Sequence, residues 1–181
     1  MIGRLLRSVR AGDTHLAWNH LALREVPAVI CVSIPEFELR EPIPARFAGR
    51  GVGDNVSPPL AWTGIPDGAV ELALIVEDPS VPLPRPFVHA VVAGIPPAWT
   101  DLHEGAIAER GPVRLGKTTI GKREYAGPRP VSGHGPHSYV FQLFAAESPL
   151  DLSASFAKRD LLAALAGRTV AKGRLNGTYE R

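Results

Sequence analysis

An aspartate and two histidines stand where apolar runs meet Pro/Gly-rich loops in this 181-residue chain. Asp78 ends the run LALIVED and is followed at once by Pro79; after the loop PSVPLPRP, His89 enters the next run, FVHAVVAGIP. His137 follows GPRPVSGHGP and opens HSYVFQLFA. Proline fixes φ and glycine admits turns closed to other residues, so such loops hold side chains in a restricted geometry. A carboxylate beside an imidazole favours the charged ring, whereas burial favours the neutral one. If Asp78 reaches His89, the pair presents a donor to an anion while tolerating burial, and His137 adds a second donor. Free amides of Gly133 to Gly135 extend the same chemistry, which suits a phosphate, sulfate or carboxylate. Tyr139 can donate a phenolic hydrogen bond or simply pack.

Other chemistries have weaker support. Asp78, His89 and His137 are residue types that ligate zinc or ferrous iron, but no HxH or HExxH spacing is present. Nucleophilic hydrolysis would need a GxSxG elbow or a reactive thiol; neither is found, and Ser57, Ser80, Ser132 and Ser138 are candidates in a generic sense only. His134 reads as a loop residue, and His15, His20 and His103 as surface or helix-packing residues. Asp54, in GVGDNVSPPLAW, makes a turn or braces the pocket loop.

The elements that must position these residues are mostly strands. Apolar runs and alternation predict strands at Ala28–Ser33, Glu36–Arg40, Leu60–Trp62, Glu71–Glu77, Val88–Ala93, Tyr139–Ala145 and Thr169–Leu175. Glu71–Glu77 and Val88–Ala93 are nearly continuous apolar runs, which places them centrally with both faces covered. Ser155–Ala166 carries Phe156, Leu161, Leu162 and Leu165 at helical spacing and stops at Gly167. Thr14–Arg24 is predicted as a second short helix within an N-terminal extension of residues 1–26; residues 27–181 form one domain. The apolar face of that extension predicts a subunit contact, and hence a homodimer. Arg110–Arg123 reads as a long ordered loop.

Composition narrows the class. Hydrophobic residues make up 45% and charged residues 21%, a globular balance, and 18 prolines spread between apolar runs favour strands and rigid turns over long helices. A net charge of +2 is too small to imply nucleic acid. No apolar stretch approaches the roughly 20 residues of a membrane span. Arg4, Arg7 and Arg10 give a basic face without the apolar core of a secretory signal, which makes a cytoplasmic protein the default. Cys31, alone in VICV, reads as a small buried hydrophobe, and Trp62 as core.

Five segments carry a resemblance: DNVSPPLAW, LALIVEDPSVP, FVHAVVAGIP, YAGPRPVSGHGPHSYVFQLFA and GRTVAKGRLNGTYER. In order and spacing they resemble the phosphatidylethanolamine-binding protein family, of the bacterial Raf kinase inhibitor-like type. The resemblance implies a β-sandwich with a large central sheet, a few peripheral helices and a small pocket at one edge. It implies pocket residues Asp78, Pro82, His89, Gly127, Pro128, His137 and Tyr139, no cofactor, and non-catalytic binding of a small anion or phospholipid head group. A kinase or protease partner is implied as well. Ser80 stands where the family usually has a second acid, Ser138 where it has Arg, Ala90 where an aromatic is common, and Val131 replaces a proline. Losing the acid and the Arg together implies loops held in another way. The alternatives are an interaction or inhibitor module whose pocket is unused, and a metal-binding enzyme built on Asp78, His89 and His137.

Overall fold

The computed structural model describes residues 2–108 and 113–181. Its centre is a five-stranded antiparallel sheet in the order β6-β4-β3-β7-β8, and a three-stranded antiparallel sheet, β1-β2-β5, packs on one face. The strands are β1 (Cys31–Ser33), β2 (Leu60–Thr63), β3 (Glu71–Asp78), β4 (Phe87–Ile95), β5 (Asp101–Leu102), β6 (Arg114–Leu115), β7 (His137–Ala146) and β8 (Thr169–Tyr179). The expected sandwich with a large central sheet is therefore present. Five predicted strands fall on β2, β3, β4, β7 and β8, and Ala28–Ser33 contracts to β1. Glu36–Arg40 forms no strand: it turns, with one isolated bridge between Ile34 and Phe37. Of the predicted loop Arg110–Arg123, residues 110–112 lie outside the described residues, and the remainder contains β6.

Side-chain alternation splits β3 between two cores. Leu72, Leu74 and Val76 face the three-stranded sheet together with Trp62, Leu60 and Phe141, while Ala73 and Ile75 face the opposite layer. That layer consists of α2 (Lys158–Leu165) and an N-terminal strap. Leu161, Leu162 and Leu165 of α2 pack with Phe156 against the sheet, and the Asp160 carboxylate accepts the Ala157 N–H at 2.9 Å to cap the first turn.

The strap is where the predicted helix fails. Beyond a short α1 (Ile2–Leu5), residues 13–15 and 17–19 form single 3-10 turns instead of a helix over Thr14–Arg24. Buried polar groups of the sheet take its backbone instead. Glu77 Oε2 accepts the Ala17 N–H at 2.7 Å and Gln142 Oε1 the Trp18 N–H at 2.7 Å. The Lys172 ammonium donates to the carbonyls of Leu23 at 2.7 Å and Arg24 at 3.0 Å. A regular helix over Thr14–Arg24 would lock the Trp18 amide in its own ladder and withdraw it from the buried Gln142 Oε1. Leu16, Ala17 and Leu23 are buried against the chain's own domain. The apolar face that predicted a homodimer contact is thus used internally. Cys31 also departs from expectation: it points outward from β1 and is exposed, while its neighbour Val32 faces the core.

Glu77 is fully buried and closes the strap's central contact with Lys158, whose ammonium lies 2.5 Å from Oε1. Glu77→Ala removes the acceptor shared by Ala17, Gln142 and Lys158 and should lower unfolding free energy by about 3 kcal/mol. Lys158→Met should cost a comparable amount, because a fully buried carboxylate loses its cation even though two donors remain. Urea unfolding of both variants checks the two losses.

Candidate functional site

Asp78 occupies the last position of β3, on the face opposite Glu77. Its carboxylate reaches His137 rather than His89: Oδ2 accepts from His137 Nδ1 at 2.6 Å, and Oδ1 accepts the Ser80 N–H at 2.7 Å. His137 Nε2 is 2.8 Å from His134 Nδ1, and His134 Nε2 is 3.2 Å from the Val9 carbonyl. All three side chains are buried. Both nitrogens of each ring are thus engaged in a chain that runs from the Asp78 carboxylate to the Val9 carbonyl. His137 lines the cavity, but both its nitrogens are engaged, so it is not the free second donor expected from the sequence. His134, expected to be a plain loop residue, is a member of this relay.

His89 is aimed by a β-bulge. In the β3–β4 ladder Val76 pairs with Ala90 and Glu77 with Val88, so His89 is the extra residue. Strict alternation would send His89 with Val91 and Ala93 toward the strap; the bulge turns it to the sandwich side, where its ring meets Tyr139 edge-on at 5.0 Å. Its Nδ1–H donates a short bond to the Ala126 carbonyl, and the Ala126 N–H returns a bond to the His89 carbonyl at 2.9 Å. Burial drives the His89 pKa below its ordinary 6.5; the Ala126 carbonyl and the Asp78 charge oppose this in part, and His137 adds to it. The ring is neutral, with its proton on Nδ1 and a bare lone pair on Nε2. That Nε2 and the Tyr139 hydroxyl are the buried side-chain polar atoms without a hydrogen-bond partner among the described residues. The Arg129 backbone lies near enough to act on the Tyr139 hydroxyl without closing a bond, and burial, with Asp78 adding to it, raises the phenol pKa.

These groups form the floor of a cavity of about 470 Å³. Asp78, Pro82, His89, Gly127, His137 and Tyr139 all line it; Pro128 does not. Instead, the Pro128 carbonyl accepts the Gly49 N–H at 2.8 Å and fastens the loop from behind. Gly127 is required there because a Cβ would run into the Phe47 and Ala48 backbone. The brace of this loop is Asn55, not its exposed neighbour Asp54. Asn55 holds φ 58°, accepts the Gly127 N–H at 2.9 Å and donates to the Tyr125 carbonyl at 2.9 Å. Asparagine's tolerance of left-handed backbone was the available signal. At the mouth, Arg50, Lys122 and Arg129 outnumber Glu124, and Leu83, Ile120 and Val131 form an exposed apolar rim.

The loops are held by means the residue types only half disclose. Ser80 Oγ accepts the Ser138 N–H at 2.9 Å, joining the two loops at the positions where an acid and an Arg were expected. The strap fastens both loops from outside: Ala11 N–H bonds the Val81 carbonyl and Gly12 N–H the Pro79 carbonyl, each at 2.9 Å, while Arg10 donates to the Pro136 carbonyl at 3.2 Å. Ala90, in place of an aromatic, is buried in the sandwich core. Among the described residues no three His, Cys, Asp or Glu side chains converge as a metal-ligand group.

The family model described as phosphatidylethanolamine-binding protein matches residues 33–180. The chain belongs to that family. A UPF0098 protein of Methanothermobacter thermautotrophicus is 39% identical over 149 residues, covering 80% of this chain and 95% of the relative. Among solved structures, a phosphatidylethanolamine-binding protein homologue from Chlamydia trachomatis superposes with a TM-score of 0.78 at 31% identity, covering 84% of this chain and 98% of its own. E. coli YbcL, described as a member of the mammalian family, gives 0.78 at 26% identity over 85% and 99%. In this phosphatidylethanolamine-binding protein family member no helix among the described residues is long and apolar enough to cross a membrane.

A neutral, buried His89 couples stability to pH. Its folded pKa lies below the unfolded 6.5, so between those values the unfolded state binds more protons and stability falls as pH falls. The loss begins near pH 6.5 and levels off below the folded pKa. His89→Asn, which keeps an N–H toward Ala126, should flatten this part of the curve. Urea unfolding from pH 8 to pH 5 compares the two; parallel curves would count against a neutral ring.

Proposed function

We propose that this cavity binds a small anion of the phosphate class, free or as the monoester of a head-group alcohol, and does so without transforming it. One observation carries the reading: a buried lone pair on His89 Nε2 and a buried hydroxyl on Tyr139, both unpartnered, face the same cavity. An unmade buried hydrogen bond costs roughly 1–3 kcal/mol, so a ligand that supplies both partners is strongly favoured. The positive balance of Arg50, Lys122 and Arg129 over Glu124 attracts an anion to the mouth. Binding without chemistry fits the engagement of the reactive groups: Asp78 and His137 are bonded to one another, and Ser80 Oγ holds the Ser138 amide. Nothing in this arrangement offers an activated nucleophile beside a free base.

Histidine NMR during titration with phosphate and with phosphoethanolamine tests the reading. Saturable shifts at His89 are expected, with Tyr139→Phe weakening affinity about tenfold through the loss of one hydrogen bond to a charged group. His137→Ala should weaken it further, because Asp78 Oδ2 would lose its ring partner and leave a bare carboxylate oxygen beside the anion. Absence of any shift at millimolar concentrations of both compounds would refute anion binding and favour the interaction-module alternative.

A further inference from the structure

The floor of the cavity is not a pair of donors. His89 Nδ1 faces a carbonyl, which can only accept, so the single proton of the neutral ring is fixed there and Nε2 is left as an acceptor. Tyr139 Oη is the complementary donor. A ligand that satisfies both must accept one hydrogen bond and donate another within the space of one head group. We infer, building on the anion-binding reading, that the cavity selects an oxyanion that carries its own proton, a hydrogen phosphate or phosphate monoester monoanion, over sulfate and phosphodiesters.

The groups packed around His89 support this assignment. From β3 comes Asp78, whose oxygens are bonded to His137 and to the Ser80 amide. From β7 come His137, engaged at both nitrogens, and Tyr139. From β4 comes the Phe87 ring, 4.8 Å away, and from the loop beyond β6 the Ala126 carbonyl. Arg50, Lys122, Glu124 and Arg129 line the same cavity. None of them gives Nε2 a hydrogen-bond partner, which leaves that lone pair to whatever fills the cavity. Burial favours the uncharged ring, which keeps the lone pair available. A phosphate monoester, with its second pKa near about 6, retains a P–OH in a large share of molecules at slightly acid pH. Sulfate and a phosphodiester do not, and each would set an oxygen lone pair against that of Nε2. Sites built to hydrogen-bond a ligand proton discriminate strongly against analogues that lack it.

Calorimetry at pH 6 with methyl phosphate, dimethyl phosphate and sulfate tests the selection, since methyl phosphate monoanion and dimethyl phosphate carry the same charge. Methyl phosphate is expected to bind about tenfold or more tightly than either competitor, and its advantage should shrink at pH 8. In His89→Asn, which keeps the N–H toward Ala126 but lacks the Nε2 acceptor, the advantage should vanish. Equal affinity for all three probes in the wild type, or sulfate binding accompanied by uptake of about one proton, would overturn the selection while leaving anion binding intact. Failure of all three to bind would overturn the anion-binding reading itself, and the selection with it. The wild-type comparison stands even if the variant does not fold.

Discussion

Two adjacent carboxylates at the end of β3 face opposite ways because strand side chains alternate, and both are buried. Glu77 turns to the strap, where it gathers the Ala17 amide, Gln142 and Lys158. Asp78 turns to the cavity, where it gathers His137 and the Ser80 amide. A buried carboxylate is tolerable only when fully bonded, so each dictates the arrangement on its own side of the sheet. The strap brings the Ala17 amide to Glu77, and His137 commits its Nδ1 to Asp78. The two sides are then tied together, since the strap that covers Glu77 continues back to Val9 and the histidine relay.

Much of this was legible in the residues. β3, β4, β7 and β8 stood out because long apolar runs between Pro/Gly loops have few other uses, and their family-like spacing ordered them. The family resemblance, carried over by position, named Asp78, His89, His137, Tyr139, Pro82 and Gly127 together, and all six line the cavity. The bulge at His89 was not legible: FVHAVVAGIP reads as one uninterrupted strand, and only the pairing with β3 reveals the extra residue. The bulge brings His89 to the same side of the sheet as Asp78, yet the Ala126 carbonyl takes its Nδ1, and Asp78 bonds His137. The helix expected at Thr14–Arg24 failed for a related reason. Leu16, Leu23 and their neighbours have plausible helical spacing, but the demand of Gln142 for the Trp18 amide arises from a residue far along the chain.

Substitution of small hydroxyls for charged residues has a clear structural meaning here. Ser80 and Ser138 join the two loops by one backbone-to-hydroxyl bond, so the cavity keeps its shape without placing an additional ion pair near the floor. The remaining charge is arranged in tiers: Asp78 is bonded within the relay, and at the mouth Arg50 and Lys122 pair with Glu124, with Arg129 beside them. Between them lie one lone pair and one hydroxyl, held in place by the Ala126 clamp and by burial. Such a floor offers one acceptor and one donor in fixed positions, a hydrogen-bond pattern and not a net charge.

The fastening of the histidine loop also orders events in time. Every residue of the cavity floor has been synthesised once Tyr139 is made. Yet the strap that steadies the loops depends on Lys158 and Lys172, which bond His15 and Leu23 across separations of 143 and 149 residues. Gly133, beside His134, donates to the carbonyl of Arg181 at 2.8 Å. A nascent chain therefore possesses all the floor side chains long before it can fix them, and closure waits for contacts between its most distant parts. Such long-range closure is slow compared with local folding. The β3–β7 pairing needs nothing beyond Ala146, whereas the fastened cavity also needs contacts from Lys158, Lys172 and Arg181.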